Sequence, residues 1–118
     1  MLSLPPSVRV FVCTRVSDMR WSFDRLALVT REVVREDPFS GHLFVFRNRR
    51  GDRVKVLYWD RSGYCIWYKR LEAGTFELPE GEGDALEMEA SEFALVLEGI
   101  DLSSARRRKR FVLKSEAG

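Results

Sequence analysis

Cysteine and histidine are scarce in this chain of 118 residues: Cys13 and Cys65 lie far apart with no CxxC spacing, and His42 is the single histidine. That scarcity argues against a disulfide framework and against a zinc site, which needs clustered thiolates or imidazoles. Both thiols sit in apolar, strand-like runs and are expected to be reduced core residues, with His42 a strand residue. Long apolar runs are missing as well. The opening stretch "MLSLPPSVRVFVCTR" carries Arg9 inside a short apolar segment, too brief and interrupted for a signal peptide or a membrane span. A cytoplasmic protein with no membrane partner is expected. Nor is there an excess of either charge, since the net charge is +2. With 45% apolar residues, a chain of this length can bury roughly 65% of its unfolded surface and so form one core without metals or disulfides.

Catalytic constellations are equally thin. The acidic candidates for holding a divalent metal are Asp18, Asp24, Glu32, Asp52 and Asp60. Asp18 and Asp24 are six positions apart, which on a helix points them in nearly opposite directions, and Asp52 belongs to a loop. Asp18 reads better as a helix cap or as the partner of Arg20, and Asp60 as a turn residue at a strand end. His42 has no nucleophile at a recognisable spacing. No enzyme, metal or cofactor is therefore expected.

The residues that are present organise an α+β domain over 1–104. "SVRVFVCT" (7–14), after Pro5-Pro6, reads as a first strand. Met19, Phe23, Leu26, Thr30 and Val33 then fall on one helical stripe, predicting a long helix over 18–35 with its N-cap at Ser17 or Asp18 and its end before Pro38. "HLFVFR" and "RVKVLYWD" flank "NRRGD" as a hairpin in which Gly51 takes a positive φ, and "RSG" turns the chain into "YCIWYKRLE". These strands predict an antiparallel meander with the long helix packed on it. Phe23, Leu26, Val33, Phe44, Val56 and Ile66 are the expected core. Both meander faces are apolar, with Val54, Val56 and Tyr58 on one and Leu57 and Trp59 on the other. One face can take the helix; the other needs a second cover, a partner or stacked bases. "GTFELPEGEGDALEMEA" suggests a short strand, an acidic loop and a further extended piece, and "ASEFALVLEGI" a short C-terminal helix capped by Ser91 and stopped by Gly99.

Charge is distributed unevenly along this frame. Between Glu77 and Glu92 there are seven acids and no base; the remaining 11 acids face 20 bases, so the rest of the chain is about +9. Arg47, Arg49, Arg50, Arg53 and Lys55 crowd one hairpin, Lys69 and Arg70 lie on the next strand, and Arg106, Arg107, Arg108, Lys109 and Arg110 form a dense arm within a basic, flexible tail at 105–118. Arginine forks to phosphate oxygens and a two-stranded ribbon fits the major groove, so DNA is the first expected partner. If six to eight of these side chains reach phosphates, the logarithm of affinity falls with that of salt at a slope of about −5 to −7. Two alternatives remain open: the charges are solvated faces and a solubilising tail, or the spare aromatic sheet face binds a protein through Trp59 and Trp67.

"DMR" at 18–20, "FD" at 23–24, the long motif "DPFSGHLFVFRNRRGDRVKVLYWD" at 37–60, "WYKRLE" at 67–72 and "LEGID" at 97–101 together resemble a known family. It is the TnpB accessory family encoded by the second open reading frame of bacterial insertion sequences of the IS-66 group, distinct from the RNA-guided nuclease of the same name. The resemblance runs from about Pro6 to Leu102. It implies a small accessory protein of transposition, encoded beside a separate transposase that would be its partner, with no settled biochemical activity; a homo-oligomer is compatible with it. Trp21-Ser22 and the tail after Ser104 depart from the family pattern, so no tail function follows from the resemblance.

Overall fold

The computed structural model describes residues 5–98 and the backbone of 100–101 and 106–107. Runs of β-branched and aromatic residues form β1 (Arg9–Val16), β2 (Leu43–Arg47), β3 (Arg53–Asp60), β4 (Gly63–Arg70) and β5 (Ala85–Glu89). They make one sheet of order β4-β3-β2-β1-β5. β2, β3 and β4 pair antiparallel in succession, with Val56 opposite both Val45 and Trp67. The sheet as a whole is nevertheless mixed, which corrects the expectation of a purely antiparallel meander. β1 runs parallel to β2, with Phe11 opposite Phe44, and antiparallel to β5, with Val12 opposite Leu86. The physical reason is the helix between β1 and β2, which carries the chain back to the end where β1 began, so that β2 must run the same way.

That helix is shorter than its apolar stripe predicts. It comprises α1 (Phe23–Val29) and a wider π turn over Thr30–Val34. Residues 18–22 are held in a turn instead: the Asp18 carboxylate accepts from the Arg20 backbone N–H at 2.8 Å and from its guanidinium at 2.7 Å. The Trp21 N–H donates to the Asp18 carbonyl at 3.0 Å. Ser22, not Ser17 or Asp18, occupies the N-cap position, without a side-chain hydrogen bond. At the far end the Thr30 hydroxyl donates to the Leu26 carbonyl at 2.8 Å, competing with the backbone ladder where the helix widens, and Arg35 ends it at φ 63. Phe23, at the first helical position, is 44% exposed and leaves the expected core, whereas Leu26, Phe44 and Val56 are completely buried. Val33 and Ile66 are half-buried against the same cluster.

Two cores sandwich the sheet. On one face Phe11, Phe44, Phe46 and Leu57 meet Leu26, Ala27 and Val34 of the helical segment. On the other Val10, Val12, Val45, Val54 and Val56 meet Phe76 and the α2 (Ala90–Leu97) residues Phe93, Val96 and Leu97. The second cover is thus the chain's own segment from 71 to 97, and the result is a single compact α+β domain. Short strands at Ile100–Asp101 (β6) and Arg106–Arg107 (β7) pair antiparallel. α2 is capped by Glu89, not Ser91: the Glu89 N–H donates to Glu92 Oε1 at 3.1 Å in a reciprocal capping box. Gly99, its expected stop, lies outside the described residues. Of the acidic block, Glu87 pairs with Arg9 at 2.7 Å and Asp84 with Arg15 at 2.9 Å, tying β5 to β1. His42 precedes β2 and accepts the Arg9 N–H through Nδ1 at 3.0 Å. Cys13 is buried, which pushes its thiol pKa up, but Cys65 is only half-buried.

Candidate nucleic-acid interface

The loop joining β2 to β3 is more than a wet connection. Asn48 opens it, and its side-chain oxygen accepts the N–H groups of Gly51 and Arg53, each at 3.0 Å, while its amide nitrogen donates to Asp52 at 2.7 Å. That bond lowers the Asp52 pKa, so the carboxylate stays ionised. Gly51 takes φ 77, as the turn requires. The neighbouring strap then locks the tip from outside, with the Leu71 N–H on the Asp52 carbonyl at 2.8 Å and the Phe76 N–H on the Gly51 carbonyl at 2.9 Å. Because Phe76 is buried in the core, the tip is anchored to the hydrophobic interior. Asn48 was not singled out from the sequence, although an Asn heading an R-R-G turn is a recognisable signal for side-chain-to-backbone bonding.

The hairpin bases sort into two groups on this scaffold. Most are committed to the fold. Arg47 donates to the Thr14 carbonyl at 3.1 Å, Arg53 to the Tyr68 hydroxyl at 3.1 Å, and Lys55 to the Trp21 carbonyl at 2.8 Å. Lys69 reaches the Leu97 carbonyl at 3.0 Å, at the end of α2 where the helix dipole favours a cation, and Arg70 pairs with Glu72 at 3.0 Å. Arg49 and Arg50, by contrast, are exposed and form no hydrogen bond or ion pair among the described residues. With Arg47 they line one side of a cleft of about 380 Å³ whose other side is the segment from Thr75 to Glu80. Of the arm, Arg106 and Arg107 are described by backbone alone, and Arg108, Lys109 and Arg110 lie outside the described residues.

The two tryptophans expected to anchor a protein partner do not share a face. Trp59 sits opposite Tyr64 and meets Phe39 edge-on at 5.0 Å, whereas Trp67 lies opposite Val56 and packs on the other core. Neither face is fully open, because α1 and the 71–97 segment pack on them, but Tyr68 stays 47% exposed at the β4 edge.

The model of the family described as "IS66 Orf2 like protein" matches residues 8–107, nearly the whole described domain and the entire tip. The chain belongs to this IS66 Orf2-like family of transposition accessory proteins. Similar proteins include uncharacterized protein y4hO of Sinorhizobium fredii, 42% identical over 101 residues and covering 86% of this chain and 88% of that one. Another from the same organism, uncharacterized protein y4jC, is 34% identical over 108 residues and covers 92% of each chain. No solved structure matches the chain. Among the described residues no three His, Cys, Asp or Glu side chains gather as metal ligands would, and no helix is long and apolar enough to cross a membrane.

Proposed function

We propose that this IS66 Orf2-like protein is a non-catalytic factor that holds DNA by its phosphates through the β2–β3 tip. It acts in the cytoplasm beside the transposase of the same element, and the arm at 106–110 adds further phosphate contacts. One observation carries the reading: two adjacent, exposed guanidinium groups, of which Arg50 feels only the nearby Asp52 charge, stand on a loop that Asn48 and Phe76 hold in place. With the loop backbone already fixed, only the two side chains remain to be ordered on gripping a phosphate, and Arg presents a planar fork suited to it. The contacts position the protein on DNA without reading its sequence.

The test is a binding titration by anisotropy against element-end and unrelated duplexes over a range of salt. Replacing Arg49 and Arg50 together by Ala is expected to leave the fold intact, weaken binding about equally for all sequences and reduce the salt slope by about two. Deletion of 105–118 is the control. If that deletion abolishes binding while the double substitution changes neither affinity nor slope, the tip is only a turn.

A second reading, contact with the transposase or another copy of the chain, is favoured by the surface cluster of Phe39, Trp59 and Tyr64, in which Phe39 is 51% exposed. Adding the transposase to the same titration separates the two. DNA binding by this protein alone supports the first reading, and binding only through the transposase supports the second.

A further inference from the structure

Beside the tip, the helix-bearing face of the sheet holds two cation–ring pairs joined through the Trp21 carbonyl, running toward the open β4 edge. The Arg25 guanidinium lies over the Trp21 ring, 5.4 Å from its centroid. The Trp21 carbonyl receives Lys55 Nζ at 2.8 Å, and the same ammonium sits 5.0 Å from the centre of the Tyr68 ring. The Tyr68 hydroxyl in turn accepts from Arg53 at 3.1 Å, and Arg53 stands opposite Arg70 in the β3–β4 register. Tyr68 is 47% exposed on an edge strand, and Trp21 is half-buried.

We infer that this strip is a binding site for a short single-stranded segment of nucleic acid, with bases stacked on Tyr68 and Trp21 and phosphates beside Arg25 and beside Lys55 and Arg53, through the N–H groups that their bonds within the fold leave over. The strip adjoins the tip at Arg53, whose backbone N–H donates to Asn48, but does not include Arg49 or Arg50. The argument is one of chemical form. A patch serving duplex phosphates alone needs cations and gains nothing from rings between them, whereas a single strand exposes base faces that stack on aromatics and a backbone that tracks the charges. The rings are already oriented, because each is held by a cation on a neighbouring element, so little ordering is left for the moment of binding. The nearest acids offset the strip only in part. Asp18 is bonded by Arg20 at 2.7 Å and also feels Lys55, Asp52 feels Arg53, and Glu72 is bonded by Arg70 at 3.0 Å.

The experiment compares an oligo(dT) of about 12 nucleotides, an abasic strand with the same number of phosphates, oligo(U) of the same length and a duplex, using the full chain and its variants. The abasic strand keeps the charge and removes the base faces. The unmodified protein is expected to prefer oligo(dT) over the abasic strand, and oligo(U) to behave like oligo(dT) because the rings read base faces rather than sugars. Tyr68→Ala is expected to weaken oligo(dT) binding about 5- to 100-fold while leaving duplex affinity and the salt slope unchanged, since no charge is removed. Tyr68→Phe keeps the ring, loses only the acceptor for Arg53, and is expected to retain the preference. Equal binding of the abasic strand and oligo(dT), or an oligo(dT) affinity unaffected by Tyr68→Ala, overturns the inference. Replacing Arg49 and Arg50 is expected to weaken all four probes alike. If that variant changes nothing while Tyr68→Ala acts as stated, the tip reading fails and the strip stands.

Discussion

Two phenylalanines that the helical and strand periodicities place together in the core have very different surroundings, and their substitution by Ala should separate them. Phe44 is completely buried on the central strand β2, stacked on Phe11 with centroids 5.6 Å apart and planes 16° from parallel. It lies between strands on both sides, opposite Phe11 and Leu57, with Leu26 and Ala27 closing the layer above. No backbone there can collapse into the space of a missing ring, so the loss falls in the upper part of the usual 3–5 kcal/mol, about 4 kcal/mol. For a domain of this size that is a large share of the typical 5–15 kcal/mol and a fall in melting temperature of about 12–20 °C. Phe23, 44% exposed at the start of α1, should lose less than about 1 kcal/mol. Urea unfolding followed by tryptophan fluorescence reads both, and the slope should stay constant while the midpoint moves. Equal shifts for the two variants, or a Phe44→Ala melt lowered by less than about 5 °C, would refute this account of the core.

Asn48→Ala removes two bonds to backbone N–H groups and one to Asp52, and should destabilise by about 1–2 kcal/mol by urea titration. In the same variant the Asp52 pKa should rise toward the ordinary carboxylate value, because the bond that lowers it is gone; carboxyl NMR titration checks this. Asp18, held down to about 2 chiefly by the Arg20 guanidinium, should titrate there in the folded protein. A carboxylate lowered in the folded state contributes stability that is present above its unfolded pKa of about 3.9 and lost as pH falls toward 2. Arg20→Ala should move the Asp18 titration up but short of the ordinary range, because the backbone N–H at position 20 and the Lys55 charge remain, and an unchanged midpoint would remove the Arg20 side chain as the cause.

Much of this protein was legible from local order alone. The β2–β3–β4 succession, the turn at Gly51, the presence of a second helix, though not its cap, and the partnership of Asp18 with Arg20 depend on residues a few positions apart. Apolar alternation, turn chemistry and short-range bonding record such neighbours directly in the chain. The place of β1 did not follow, because its parallel partner β2 begins only after the helix and its antiparallel partner β5 lies far along the chain, 78 positions in the pair Arg9–Glu87. Composition likewise marked the hairpin as basic, yet could not say which bases were already spent on the fold. Lys69 meets Leu97 28 positions on, and Lys55 meets Trp21 34 positions back, distances over which no periodicity carries information. Only closure of the sheet brings such groups together, committing Arg47, Lys55 and Lys69 to carbonyl oxygens and leaving Arg49 and Arg50 exposed at the tip.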